Sequence, residues 1–303
     1  MNNIEISFLN RIREMISPFF NKLFEIITFL GGQEVLIIIV VIVYFIVSKK
    51  IGQRIAFSVF GSLLLNNTLK SIINRIRPFR HPNANYTLSD NVTTHASGQS
   101  FPSGHSQNAS VTYTSIAIAF NRRPIWILSI VAICLVGISR IVLGVHYPTD
   151  VVVGITLGIS CAFLGAYLHQ KAEEDIKRQM ILYLIVAIIF SPFIIFFLTK
   201  DNLDYPRYKD LFTSYSFFIG YIIAVWLDSK FVNFDCHNPL KKRIFRAIIA
   251  LVIIVGIQFG LKVILPKDNV LLDMLRYFLL SFIGLGLYPL ITKKYLFSTK
   301  NEL

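Results

Sequence analysis

Nine apolar runs dominate this chain, at about 33–48, 55–72, 104–120, 125–141, 148–169, 181–199, 212–228, 247–265 and 273–292. A helix needs about 17–25 mostly apolar residues to cross the hydrocarbon layer of a membrane. A chain with nine such runs, the first rather short, is expected to be all-α: a polytopic membrane helical bundle of about nine transmembrane helices. Charge agrees, since only 16% of the 303 residues are charged, against about 25% in soluble globular domains. That is too few to cover a soluble surface.

The balance is basic, with 30 Lys and Arg against 17 Asp and Glu and a net charge of +13. No basic helix or aromatic RNA-binding motif accompanies it, so no nucleic acid partner is expected. Basic residues instead accumulate in the cytoplasmic loops of membrane proteins. With the loop at 49–54 on the cytoplasmic side, that side's loops (49–54, 121–124, 170–180, 229–246 and the tail from 293) hold sixteen Lys and Arg, and the opposite loops hold nine. The C-terminus is then cytoplasmic. Loops 70–103 and 140–147 face outward, and their basic residues need a reason of their own.

Residues 2–31 lack the pattern of a signal peptide, because Glu5, Arg11, Arg13 and Glu14 interrupt the apolar positions and no small-residue cleavage site follows. Ile4, Phe8, Leu9, Ile12, Ile16, Phe19, Phe20, Leu23, Phe24 and Ile27 recur at helical spacing. Ser17-Pro18 reads as a helix start, and Gly31-Gly32 ends the pattern. This segment is expected to form two amphipathic helices at the outer interface, with an extra span as the alternative. The three cysteines, Cys134, Cys161 and Cys236, have no metal or disulfide spacing. The loop at 79–102 is long, polar and rich in Asn, Ser and Thr. Its sequons at Asn85 and Asn91 do not fix the compartment, and His81 and His95 read as bystanders.

Three segments carry polar residues of a different kind. In the first, Lys70-Ser-Ile-Ile-Asn-Arg-Ile-Arg77-Pro78, Lys70 and Arg77 are seven apart and would share a face of a helix that Pro78 ends at or near Arg77. Together they would make an anion site. Arg75 and Arg80 look like ordinary interface cations, and the whole set also fits simple snorkelling. The second is Phe101-Pro102-Ser103-Gly104-His105-Ser106. A helix start there would offer free N–H groups to phosphate, with His105 as a proton donor; a plain helix cap is the alternative. In the third, Ser139-Arg140 is followed by His146 and Asp150. A helix beginning near Pro148 would bring the last two together, and the carboxylate would fix the imidazole tautomer. A structural His–Asp hydrogen bond fits as well. All three segments fall on one side of the charge-derived topology.

In order and spacing, Lys70-x6-Arg77-Pro78, Pro102-Ser103-Gly104-His105 and Ser139-Arg140-x5-His146-x3-Asp150 resemble the three-part signature of the type 2 phosphatidic acid phosphatase superfamily. The resemblance covers about 35–170. It divides the chain into an N-terminal interfacial segment (1–32), a catalytic helical core (33–171) and a four-helix membrane extension (172–303) with no readable signature. It implies a phosphatase acting on a lipid phosphate substrate among membrane lipids. His146 would be the nucleophile, Asp150 would orient it, and His105 would protonate the leaving oxygen and later activate water. Lys70, Arg77 and Arg140, with Ser103 and the Gly104 N–H, would hold the phosphate. No cofactor or metal is expected, since the outer-loop carboxylates Asp90, Asp201, Asp204, Asp210 and Asp268 are scattered and three cations can take a metal's place. A phosphotransferase using the same histidine, and an anion transporter, are the alternatives. The Ile-rich chain suggests a bacterial plasma membrane with the site extracytoplasmic, although an ER-type membrane would give the same topology.

Overall fold

The computed structural model describes residues 2–88, 98–200, 203–266 and 269–297. His95, the sequon at Asn91, and Asp90, Asp201 and Asp268 lie outside them. The described elements are helical, with no strand among the described residues. The helices are α1 (Asn2–Met15), α2 (Pro18–Thr28), α3 (Gln33–Ile42), α4 (Lys49–Ile73), α5 (Gly104–Phe120), α6 (Arg123–Val142), α7 (Pro148–Ala172), α8 (Ile176–Leu198), α9 (Tyr205–Leu227), α10 (Leu240–Ile264), α11 (Val270–Phe282) and the short α12 (Tyr288–Ile291).

Among the described residues, six helices are long and apolar enough to cross a membrane: α6 to α10, with α9 extended to Val232, and the stretch Val270–Ile291. The bent pair Pro18–Gly31 and Gln33–Val47 would make a seventh. The count of about nine is therefore not reached by this measure, and the reason is physical. The runs at 55–72 and 104–120 do form helices, but α4 and α5 bury polar side chains inside the protein. Ser62, Asn66, Asn67, Thr68 and Ser71 of α4 are buried, as are Ser106, Gln107, Asn108, Ser110, Thr112 and Thr114 of α5. Asn66 donates from Nδ2 to Gln107 Oε1 at 2.7 Å, and Gln107 donates to the Ser62 carbonyl at 2.9 Å. An inward polar face of this kind lowers apolarity without exposing anything to lipid.

The chain divides into two compact units: Met1–Leu36 with Gly61–Ala166, and Ile37–Phe60 with Tyr167–Leu303. In the first, α1 docks through Ile6 and Leu9, which pack on the buried Tyr147. Its other side exposes Ile4, Phe8 and Met15, while α2 packs the partly buried Phe24 on Leu143 and Val145 and exposes Phe19, Phe20 and Ile26. Close contact between α5 and α7 depends on glycine. A Cβ on Gly154 would come 2.7 Å from the Ser103 carbonyl oxygen, and one on Gly158 would come 2.5 Å from that of Gln107.

The second unit holds partly buried ion pairs, Arg54 with Glu173 at 2.7 Å and Lys49 with Asp228 at 2.9 Å. Arg276 is buried and paired with Asp273 at 2.7 Å. The exposed His237 pairs with Asp235 at 3.2 Å.

Candidate active site

Every candidate residue lies in the first unit. Helix α4 ends at Ile73, four residues before the expected boundary, because Asn74 takes a left-handed conformation with φ 50°. Asn is one of the few residues that tolerate this at a helix end. Arg77 is extended (φ −74°, ψ 151°), as expected of a residue before proline. Lys70 and Arg77 therefore do not share a helix face, and the chain reversal brings them together by another route. Lys70 Nζ donates to the Gln99 carbonyl at 2.8 Å, and Arg77 Nε donates to the Gly98 carbonyl at 3.1 Å.

Helix α5 begins at Gly104, as the second segment predicts. Ser103 is its N-cap, with Oγ 3.4 Å from the Ser106 N–H and 2.8 Å from Ser106 Oγ. The Ser103 hydroxyl is thus engaged in capping. Its backbone N–H donates to the Asp150 carbonyl at 3.0 Å, which joins the second segment to the third. Lys70 is close by, since a Cβ on Gly104 would stand 3.8 Å from Lys70 Cε. His105 lies within electrostatic range of Arg140, His146, Arg77 and Lys70.

The third segment turns tightly between α6 and α7, with Gly144 at φ 68°. Only glycine adopts that conformation freely, and the turn aims His146 inward. His146 and Asp150 are buried, and Nδ1 stands 3.4 Å from Asp150 Oδ2. Arg77 Nη1 lies 3.1 Å from His146 Nε2. A guanidinium can only donate, so Nε2 accepts, and the proton of the neutral ring sits on Nδ1, facing the carboxylate. Burial first, then Arg77, Arg140 and Lys70, hold the imidazole well below its usual range. Arg140 donates from Nη1 to Thr28 Oγ1 at 2.6 Å, and its buried Nε has no hydrogen-bond partner among the described residues. Such a donor suits an anionic ligand.

Several residues at this site escape sequence reasoning. Ser100 hydrogen-bonds Asp150 Oδ2, and its Oγ lies 3.4 Å from His146 Nδ1. Arg75 is no ordinary interface cation, since Nη1 contacts Asp150 Oδ1 at 2.6 Å and Nη2 contacts Glu5 Oε2 at 2.6 Å. The available signal was Glu5 itself, an acid on the same helix face as the buried Leu9. His81, by contrast, accepts the Asn83 N–H at 3.2 Å in a local turn.

A tautomer-fixed histidine facing a ring of cations beside a helix N-terminus is suited to attack a bound phosphate. Comparison with known proteins gives the same class. Residues 52–174 match the PAP2 superfamily, and 212–300 match the transmembrane extension of PAP2 superfamily phosphatases. Phosphatidylglycerophosphatase B of Bacillus subtilis is 36% identical over 174 residues, 53% of this chain and 79% of that protein. An undecaprenyl-diphosphatase of Sulfolobus acidocaldarius is 30% identical over 134 residues, 44% of this chain and 63% of its own length. Among solved structures, the PAP2-type phosphatidylglycerolphosphate phosphatase of Bacillus subtilis aligns with TM-score 0.46 and 30% identity, covering 56% of this chain and 86% of the other. The chain belongs to the PAP2 superfamily of membrane lipid phosphatases.

Proposed function

We propose that this protein removes phosphate from a phosphate monoester or diphosphate of a membrane lipid through a phosphohistidine at His146, without a metal, on the extracytoplasmic face. The observation that carries the mechanism is the orientation of His146, with Nδ1 toward Asp150 and Nε2 toward Arg77. In this reading Arg77, Lys70 and Arg140 hold the phosphate oxygens with the N–H groups at the start of α5. Arg77 then turns its N–H from Nε2 to an oxygen of the substrate, freeing the lone pair. Nε2 attacks phosphorus as the bond to the lipid oxygen breaks, and His105 gives that oxygen its proton. Water next attacks phosphorus, the N–P bond breaks, and a proton from the water returns to His105. Fixed cations suit the charge that phosphoryl transfer spreads over the equatorial oxygens.

The names of two relatives, a phosphatidylglycerophosphatase and an undecaprenyl-diphosphatase, support a lipid phosphate as substrate. The excess of basic residues in the loops on the 49–54 side, away from the site segments, supports the extracytoplasmic side and a cytoplasmic C-terminus. In our reading 33–171 is the catalytic core, 1–32 an interfacial segment and 172–303 a membrane extension. The test is phosphate release from lipid phosphates by purified protein, wild type against His146→Ala, with acid-labile phosphate trapped on the wild-type protein only. Unchanged release by His146→Ala would overturn the proposal.

A further inference from the structure

Glu5 of α1 and Asp150 of α7 are far apart in sequence, yet both engage one guanidinium. Arg75 contacts Asp150 Oδ1 and Glu5 Oε2, each at 2.6 Å, and donates to Thr149 Oγ1 at 2.7 Å. Glu5 Oε1 accepts the Thr149 N–H at 3.0 Å and its hydroxyl at 2.8 Å. The Tyr147 ring lies against the guanidinium, with Arg75 Cζ 3.9 Å from the ring centroid. Side-chain exposure is 13% for Arg75, 10% for Glu5 and zero for Asp150.

The charges explain why two acids serve one base. An arginine clamped on Asp150 alone fixes its geometry but also neutralises it. A neutral pair gives little support to the positive charge that His146 acquires when its Nε2 binds phosphorus. A second carboxylate on the same guanidinium returns the group to a net single negative charge, and in a buried setting that charge is weakly screened. We infer that Glu5 is a positioning residue for the reaction: through Arg75 it holds Asp150 in place while preserving the negative charge that faces His146. Helix α1, otherwise an amphipathic segment exposing Ile4, Phe8 and Met15, is then part of the catalytic apparatus. This inference rests on the reading of His146 as nucleophile.

The test compares Glu5→Gln, Glu5→Asp, Arg75→Gln and the Glu5→Gln/Arg75→Gln double variant, with rates taken per folded protein. Glu5→Gln should lower kcat about 10–100-fold, the size of loss that follows removal of an outer-shell partner of a metal-ligating histidine, and leave KM nearly unchanged. Glu5→Asp, which keeps the charge, should recover most of kcat. The double variant leaves Asp150 as the sole charge of the group, so its loss should be smaller than the product of the two single losses. Multiplicative losses, or a Glu5→Asp as slow as Glu5→Gln, would assign the effect to packing and overturn the inference. Should Glu5→Gln not be recovered folded, the double variant carries the test, since it strands no buried cation. Turnover within about ten-fold of wild type supports the inference, and a loss as large as that of Asp150→Asn overturns it. His146→Ala is assayed alongside. If it still releases phosphate, the functional reading falls; if it is inactive while Glu5→Gln turns over like wild type, only this inference falls.

Discussion

Oδ2 of Asp150 faces Nδ1 of His146 across 3.4 Å, and it also accepts the Tyr147 backbone N–H at 3.0 Å. With Ser100 bonded to the same oxygen, the carboxylate has little freedom to rotate. Its partner ring is correspondingly held in one tautomer.

Asp150→Asn is therefore expected to leave the site assembled and the tautomer wrong. The amide can present its NH₂ to Nδ1 and shift the ring proton to Nε2. A loss of about 10⁴-fold in kcat follows from the behaviour of histidine–aspartate pairs. Steady-state phosphate release checks this, and a variant within ten-fold of wild type would contradict it.

Arg77 contacts both His146 and the carbonyl of Gly98. Arg77→Lys keeps a charge but loses the planar fork that can grip two oxygens. A loss of about 10²–10³-fold in kcat is expected, as for the removal of one transition-state donor. If Arg77→Lys matches wild type, the phosphate clamp is wrongly drawn.

Burial and the cations around His146 hold its imidazole well below the ordinary range. A lowered value means the neutral form, the one proposed to attack, persists as pH falls. The acid limb of kcat/KM that belongs to this residue should lie below about pH 6.5, the ordinary histidine value. Stability follows the same sign, because the unfolded chain binds the proton more readily than the folded one. The contribution is complete above about pH 6.5 and declines as pH falls below it. A profile of kcat/KM from pH 4 to 8 checks the first statement, and a limb centred above the ordinary value would contradict it.

Because fixed cations are proposed to do the work of a metal, turnover should survive excess chelator. Complete loss of activity, restored by Mg²⁺, would exclude the metal-free mechanism.

Gly158 lets α5 approach α7. Gly158→Val would force the helices apart and cost about 1–3 kcal/mol through overpacking. A lower melting temperature in detergent, with a matching loss of activity, is the expected outcome. An unchanged melting temperature would mean the contact can relax.

Spacing alone marks out Lys70, Arg77, His105, Arg140, His146 and Asp150, because these residue types recur at intervals that a helix or a turn can close. It misjudges how Lys70 and Arg77 meet, since the left-handed Asn74, not Pro78, ends α4. It misses Arg75 because the explanatory partner, Glu5, sits at |i−j| of 70, on a helix legible only as an amphipathic surface. The span count suffers from a related blindness. Hydropathy cannot tell a polar residue that faces a protein interior from one that would face lipid, and α4 and α5 are rich in the former.

That same polarity bears on how the protein is made. A helix carrying Gln107, Asn108, Ser110 and Thr112 has little reason to leave the translocon alone, because each unpartnered amide or hydroxyl is costly in hydrocarbon. Asn66 and Ser62 of α4 supply partners for Gln107, so that amide is satisfied only when the two segments pair. Membrane entry of α4 and α5 is thus expected to be a cooperative step, and substitutions at Asn66 or Gln107 should be felt first in biogenesis, before any effect on turnover.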